Sequence, residues 1–398
     1  MKTREVRLVS EDCSGGFDPV MAVKVLVKSP ISTFTGYGRD GIGLIQALVR
    51  CGADVYLQPT HVSPPLPDDV ISLFSKNLQK PFDLVIDHED PGQLAIPPAL
   101  RKEGSVTVAW SMWEFTSLSN LMPSQRKTLQ SRMKDFDLFL GYDSVTVDGF
   151  KPYLTDTNTA VLQGGYDPSE WQPLERDWFG DRFGFMMCGQ LHERKDPFIS
   201  IQAFVDLKKN YPKEFDGAEL HLKNTLRNLH PAMVDWCPKL RVHYATWPTD
   251  VLNAFYQSQH VLLAPSRGEG KNLPALEFMT TGGTVIATDW GGHREWLDPQ
   301  WAYPLDYVLR EESAEYPDCK SARASVEHMK ELMMHTYKNR AEVKMKADLA
   351  AQMIPKMCNW DTVVEKMFYR IRDNVPDKGE EVFTRYQMGL RDSTIGER

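Results

Sequence analysis

The densest chemistry in the chain lies at Ser266-Arg267-Gly268-Glu269-Gly270-Lys271-Asn272-Leu273-Pro274-Ala275-Leu276-Glu277. The apolar run Val261-Leu262-Leu263-Ala264 before it reads as a buried strand, and a helix opens within it. Asn272 suits the N-cap of that helix, and Pro274 its first turn, where no N–H is needed. The unpaired amides and positive dipole end of such a helix suit a diphosphate. Glu269 in the loop and Glu277 in the early turns offer carboxylates to sugar or ribose hydroxyls at two depths. On spacing alone, the same residues also suit a capped helix with two solvated glutamates.

A second constellation, Gly189-Gln190-Leu191-His192-Glu193-Arg194-Lys195-Asp196-Pro197, lies between a strand and a helix that opens near Pro197. Arg194 and Lys195 could neutralise a diphosphate leaving group as it forms; a solvated charge cluster is the alternative. Thr35-Gly36-Tyr37-Gly38-Arg39-Asp40-Gly41 matches G-x-G-x-x-G. A dinucleotide site wants an acidic residue about 20 positions further on. Here Val55-Tyr56-Leu57 runs into Gln58, which argues against a dehydrogenase. The glycines at 36 and 38 still allow a ligand close to the backbone, or simply a tight turn.

Asp135-Phe136-Asp137 has the form of a metal-binding D-x-D, but it precedes the apolar run Leu138-Phe139-Leu140 rather than following one. A charged helix-to-strand connection accounts for it better. His88 and Glu89 follow Leu84-Val85-Ile86-Asp87, and Glu114 follows the aromatic stretch Trp110-Ser111-Met112-Trp113. His88 and Glu114 are therefore candidates for the acceptor side, where a histidine can hydrogen-bond a hydroxyl or move a proton. Solvated loop residues and core aromatics are the alternatives.

These motifs fall at strand-to-helix junctions of two alternating stretches, the pattern of parallel sheets with crossover helices. The first stretch has strand-like runs at 22–27, 55–57, 84–86, 106–109, 138–140 and 160–162, with a helix whose Ile42, Ile45, Leu48 and Val49 share a face. Turn formers crowd residues 164–182, which read as a linker. Strand runs resume at 183–188, 220–222, 240–243, 261–264 and 284–287, with a helix at 197–209, and the chain from about 320 onward is largely helical. The expected organisation is α/β, with one Rossmann-like domain over residues 1–170 and a second over 171–360. Residues 361–398 form a C-terminal helix crossing back to the first. Ligands bind beyond the carboxyl ends of such strands, so two facing sheets would share one cleft.

The bulk properties fit this plan. At 398 residues, with 42% hydrophobic and 25% charged residues, the chain is long enough for two cores. A net charge of −8 offers no broad attraction for a phosphate backbone. The six cysteines are scattered, which suits reduced thiols rather than a disulfide framework or a zinc site. No run reaches about 18 apolar residues, and the N-terminal Met-Lys-Thr-Arg-Glu-Val-Arg lacks the apolar segment of a signal peptide. A cytoplasmic location without a transmembrane segment is expected.

In order along the chain, the segments resemble the retaining GT-B glycosyltransferases of family four (glycosyl transferases group 1). Thr35 to Gly38 looks like the family's N-terminal glycine loop, and Val161-Leu162-Gln163-Gly164-Gly165-Tyr166-Asp167-Pro168 like its interdomain segment. Gly189 to Lys195 is similar to its phosphate loop, and Glu269 to Glu277 matches its two-glutamate spacing. Thr288-Asp289-Trp290-Gly291-Gly292-His293-Arg294-Glu295 resembles the following loop, and Asn359-Trp360-Asp361 opens a late helix.

The resemblance implies a GT-B fold of two Rossmann-like domains facing a cleft, with residues 1–170 as the acceptor domain and 171–360 as the nucleotide-sugar donor domain. It also implies metal-independent transfer of a sugar from a nucleotide diphosphate donor to an acceptor hydroxyl, with retention and without a cofactor. Catalysis would fall to Glu269, Lys195 and Arg194. Donor binding would use these three with Gly36, Tyr37, Gly38, Gly270, Lys271, Asn272, Leu273 and Glu277, with Glu277 on the ribose. Gln190 stands where many members carry arginine, leaving the phosphate charge to Arg194 and Lys195. A glycan or lipid-linked glycan is the default acceptor and a nucleic-acid base a further one. A non-catalytic nucleotide-sugar binder and a nucleotide-sugar epimerase are the rival readings.

Overall fold

Runs such as Leu84-Val85-Ile86 and Leu138-Phe139-Leu140 are apolar at every position, and a strand of that kind needs cover on both faces. The computed structural model, which describes residues 22–78, 81–97, 100, 104–226, 237 and 239–395, supplies it. The first half contains β1 (Lys24–Ser32), α1 (Gly36–Arg50), β2 (Asp54–Ser63), α2 (Asp68–Leu73), β3 (Leu84–His88), β4 (Val106–Ser111), α3 (Pro123–Met133), β5 (Leu138–Gly141), α4 (Ser144–Phe150) and β6 (Asn158–Val161). Its six strands form one parallel sheet in the order β2-β1-β3-β4-β5-β6.

The second half contains β7 (Phe183–Gly189), α5 (Pro197–Asn210), β8 (Ala218–Asn224), β9 (Leu240–Tyr244), α6 (Thr249–Gln257), β10 (Val261–Ala264), α7 (Leu273–Thr280), β11 (Thr284–Thr288) and β12 (Tyr303–Leu305). These strands form a second parallel sheet, β12-β11-β10-β7-β8-β9. An antiparallel hairpin follows, β13 (Tyr307–Ser313) and β14 (Tyr316–Ala324). The chain ends in α8 (Val326–Lys338), α9 (Arg340–Cys358), α10 (Trp360–Asn374) and α11 (Pro376–Ile395).

Each sheet reverses its strand order once, between β1 and β3 in the first and between β7 and β10 in the second. Loops at such a reversal diverge to opposite faces and leave a crevice. The glycine loop after β1, the basic loop after β7 and the two-glutamate loop after β10 all leave strands that flank a reversal.

Four buried clusters cover the two faces of each sheet. The C-terminal helices belong to the first sheet's core: Trp360, Val363, Val364, Met367, Phe368 and Ile371 of α10 and Val382, Phe383 and Tyr386 of α11 pack with α1 and β1. Residues 361–398 were expected as one helix, but the chain breaks at Val375-Pro376 into two, as proline cannot continue a hydrogen-bond ladder. Ile42, Ile45 and Leu48 of α1 face inward as expected, whereas Val49 is 46% exposed. The hairpin was not anticipated. The residues read as a linker are pinned to the second domain by Arg176, whose Nε donates to Gln259 O at 2.9 Å and whose Nη2 donates to Thr281 Oγ1 at 2.8 Å.

Asp137 serves the first sheet, its Oδ2 accepting from Thr107 N at 2.9 Å and Thr107 Oγ1 at 3.0 Å. This is the helix-to-strand connection expected of the D-x-D sequence. Of the cysteines, Cys51, Cys188, Cys237, Cys319 and Cys358 are free thiols, and Cys13 lies outside the described residues.

Gly43 sets how closely α10 meets α1, because a Cβ there would run into the Trp360 indole. Gly43→Val is expected to cost about 1–3 kcal/mol and to make residues after 358 more sensitive to limited proteolysis, both measurable on the purified protein.

Candidate active site in the interdomain cleft

The loops at the two reversals enclose a cavity of about 520 Å³. Its lining includes Gly36, Tyr37 and Glu114 from the first domain. From the second come Arg194, Lys195, Glu269, Gly270, Lys271, Asn272, Leu273 and Glu277. Ten of these eleven sites were expected to bind donor and one, Glu114, to face the acceptor. Two expected residues, Gly38 and His88, are not among its lining.

Glu269 is the electrostatic centre. It is 5% exposed, with Oε1 2.5 Å from Lys195 Nζ and Oε2 3.2 Å from Arg194 Nη1. Arg194 also reaches Glu114 across the cleft, at 3.5 Å. Burial would raise the Glu269 carboxyl, but Lys195 and then Arg194 outweigh it and hold the group far below the carboxylate range. Glu114 goes the other way, raised by burial against the pull of Arg194. The basic loop is fixed by Arg267, which donates to Asp196 Oδ2 at 2.9 Å and Glu193 Oε1 at 2.6 Å. Asp196 itself has a left-handed backbone, φ 45°.

Glu277 lies in the early turns of α7, 2% exposed. Its Oε2 accepts from Tyr256 OH at 3.3 Å, and its Oε1 sits 2.9 Å from Arg39 Nη2 of the first domain. Leu273 and Asn272 lie at the start of α7, where the first turn's amides have no intrahelical acceptor. Asn272 occupies the N-cap position, as expected, but does not cap. Its backbone is left-handed at φ 68°, which turns the side chain to donate to His293 Nε2 at 3.0 Å. His293 Nδ1–H in turn donates to Thr288 O at 2.9 Å, which fixes the neutral tautomer. His293 was missed as a site residue; the only signal was its place in the Gly291-Gly292-His293 loop.

Lys271 also differs from expectation. Its backbone lines the cleft, but its side chain enters the first domain, where Nζ pairs with Asp40 Oδ1, donates to Gly165 O and lies 5.3 Å from the Trp360 ring centroid. Both charged groups are 4% exposed. Asp40 and Arg39 were quoted in the glycine motif without a role. Gly38 is structural: a Cβ there would meet Ser32, so the glycine lets α1 start tight against the end of β1.

His88 is corrected outright. It is the last residue of β3, entirely buried, with Nδ1 2.9 Å from Ser29 Oγ and Nε2 2.7 Å from Tyr142 OH. Tyr142 donates onward to Asp40 Oδ2 at 2.7 Å. Tyr37, whose ring centroid is 5.2 Å from that of His88, lines the cavity in its place.

The domains meet closely around this cavity. A Cβ on Gly270 would strike Met112, and Gln163 Nε2 donates to Gly270 O at 2.9 Å and Gly292 O at 2.6 Å. The β13–β14 hairpin reaches the segment that carries Glu114: Thr116 N donates to Lys320 O at 3.0 Å and Ser117 Oγ to Asp318 Oδ2 at 2.8 Å. Among the described residues, no group of three or more His, Cys, Asp or Glu is arranged to hold a metal, and no helix is long and apolar enough to cross a membrane.

Two doubly wound parallel domains facing a cleft define the GT-B fold. Residues 182–314 match the family model described as Glycosyl transferases group 1, a stretch that takes in the basic and two-glutamate loops. No curated protein matches the chain in sequence. The fold is similar to that of OtsA in its apo form, with TM-score 0.63 and 14% identity over 89% of this chain and 99% of that one. It is also similar to sucrose-phosphate synthase from Thermosynechococcus elongatus, with TM-score 0.62 and 11% identity over 88% and 98%. Anabaena HepE in complex with UDP-glucose gives TM-score 0.58 and 12% identity over 88% and 100%. At such identities the likeness shows the shared fold, and with the matched domain it bears out the resemblance to GT-B glycosyltransferases of group 1.

Asp40→Ala strands a buried ammonium and is expected to cost about 3–5 kcal/mol, most of it recovered in Asp40→Leu/Lys271→Met; denaturant melts measure both. Burial pushes His88 down to about 4, so between that value and its ordinary value of about 6.5 the unfolded chain holds the extra proton. Its contribution is whole above that window and is lost as pH falls through it, about 3 kcal/mol in all. The stability difference between wild type and His88→Asn should therefore shrink by that amount from pH 7 to pH 4; a pH-independent difference would refute the assignment.

Proposed function

We propose that the chain is a cytoplasmic, metal-independent glycosyltransferase. It moves a sugar from a nucleoside diphosphate sugar to an acceptor hydroxyl with retention of anomeric configuration. The observation that carries this is one buried carboxylate, Glu269, held ionised between Lys195 and Arg194 at the mouth of α7, with Glu277 deeper along the same cavity.

In this reading the diphosphate takes over the Lys195 and Arg194 donors, which develop their full value as negative charge builds on the leaving group. The opening amides of α7 add the positive end of a helix dipole. Glu277 accepts from the ribose hydroxyls. Glu269, freed from part of its ion pairing, accepts from hydroxyls of the transferred sugar as its anomeric carbon gains oxocarbenium character. The acceptor oxygen enters from the Glu114 side; as its bond to the anomeric carbon forms and the bond to the diphosphate breaks, its proton passes to the departing diphosphate oxygen. Close contact between the domains keeps water, the competing acceptor, away from the donor. A glycan or lipid-linked glycan is the acceptor class we favour. Retention rests on the resemblance of the two-glutamate and basic loops to the retaining family. Free thiols at all five described cysteines support a reducing compartment.

The test is release of nucleoside diphosphate from a panel of nucleotide sugars, followed by mass spectrometry with and without acceptor. Wild type should release nucleotide from one donor, and Lys195→Ala should lower that rate by about 100-fold or more with its fold intact. Turnover of Lys195→Ala within about twofold of wild type would remove the phosphate assignment, since one oxyanion donor is worth far more than that. Binding without release would mark a carrier, and an isomerised donor an epimerase.

A further inference from the structure

The cavity continues past the groups assigned above. Beyond Cys188 its lining is Lys223 and Thr225 at the end of β8, then Thr246 and Leu252 after β9. In the sheet, β8 and β9 lie on the far side of β7 from β10, so the β8 end is displaced from the Glu269 loop by about 10 Å, two strand spacings. A donor with its sugar at Glu269 and its diphosphate at the β7 loop extends its nucleoside in this direction.

Among the described residues, two polar groups in that extension lack a hydrogen-bond or ion-pair partner. Lys223 is only 6% exposed, and among the described residues no carboxylate pairs with it; Trp247 is its neighbour, with the ring centroid 5.9 Å from Nζ. The other four Lys and Arg residues lining the cavity do have such partners: Arg39 with Glu277, Arg194 and Lys195 with Glu269, and Lys271 with Asp40. The Thr225 hydroxyl is also buried without a hydrogen-bond partner. A buried hydroxyl left unmade is costly in the free protein, and the Lys223 ammonium faces the cavity without a carboxylate to pair with. A ligand that bonds both recovers that cost.

We infer that Lys223 and Thr225 read the nucleobase of the donor, selecting a base that presents a ring carbonyl at this end, as uracil and guanine do, over adenine. This rests on the proposed donor site. A lysine ammonium only donates, so it favours a carbonyl oxygen and opposes adenine's amino group, which is itself a donor. Trp247 offers an aromatic surface beside the ammonium.

Isothermal titration of the full chain with UDP, GDP and ADP tests this. Wild type should bind UDP or GDP about tenfold or more tighter than ADP, the value of a charged hydrogen bond at a buried site. Lys223→Met keeps the apolar stem and should abolish that preference while leaving ADP affinity within about twofold. Thr225→Val, which removes the unmade hydroxyl, should narrow it without lowering the melting temperature. Equal weakening of all three nucleotides by Lys223→Met would mean that the lysine serves the phosphates, and no change would mean that it is idle; either result overturns the inference and leaves the proposed function standing. Failure of every diphosphate to bind wild type would take down both.

Discussion

A buried ion pair between Lys271 and Asp40 joins the two halves of this molecule, and the geometry of the cleft depends on it. Lys271 is the third residue of the Glu269-Gly270-Lys271 loop, and its side chain crosses into the first domain. Two charges so buried persist only when their other bonds are satisfied. Asp40 also accepts from Tyr142, and Lys271 also donates to Gly165 O. The two-glutamate loop is therefore aimed by a bond to the opposite domain. Opening the cleft around Glu269 means breaking that pair, the Gln163 bonds to Gly270 and Gly292, or the hairpin's grip on Thr116 and Ser117.

Around Glu269 and Glu277 the charges of the cleft are already paired within the protein. Glu269 occupies both basic residues of the β7 loop, and Arg39 occupies Glu277. Such pairing keeps a crevice of charged groups from destabilising the fold, and it sets the terms on which a ligand enters. On the proposed function, a diphosphate must offer Lys195 and Arg194 as much as Glu269 does, and a ribose must share Glu277 with Arg39. A dianionic group with several acceptor oxygens meets the first condition, since Arg binds it in two places at once and Lys as a point charge.

Much of the fold was legible because the strands are continuous apolar runs and the loops between them break the pattern with glycine and charge. The β7 to β8 unit and α5 fall within a residue or two of where periodicity puts them. β1 and β2 run further than their apolar cores indicate, because pairing through Ser32 and Ser63 extends beyond the hydrophobic stretch. The hairpin escaped because β13 is largely exposed and turns acidic after its first three residues, Arg310-Glu311-Glu312, so no sustained apolar run marks it.

The candidate loops could be found by residue type, but the side-chain directions could not. Nothing local to Lys271 says that its ammonium leaves the cleft, nor to Asn272 that a left-handed backbone hands its amide to His293. His88 stood at the carboxyl edge of a strand, as a site residue would. Tyr37 and Tyr142, from distant parts of the chain, close over it. These are tertiary facts, written in contacts between segments up to about 230 positions apart.

The most direct measurement is a crystal structure of the protein with a bound nucleoside diphosphate. The expected result is diphosphate oxygens within hydrogen-bond distance of Lys195 Nζ and the Arg194 guanidinium, with the ribose hydroxyls on Glu277. A nucleotide bound elsewhere, with the Lys195–Glu269 and Arg194–Glu269 pairs intact, would contradict it.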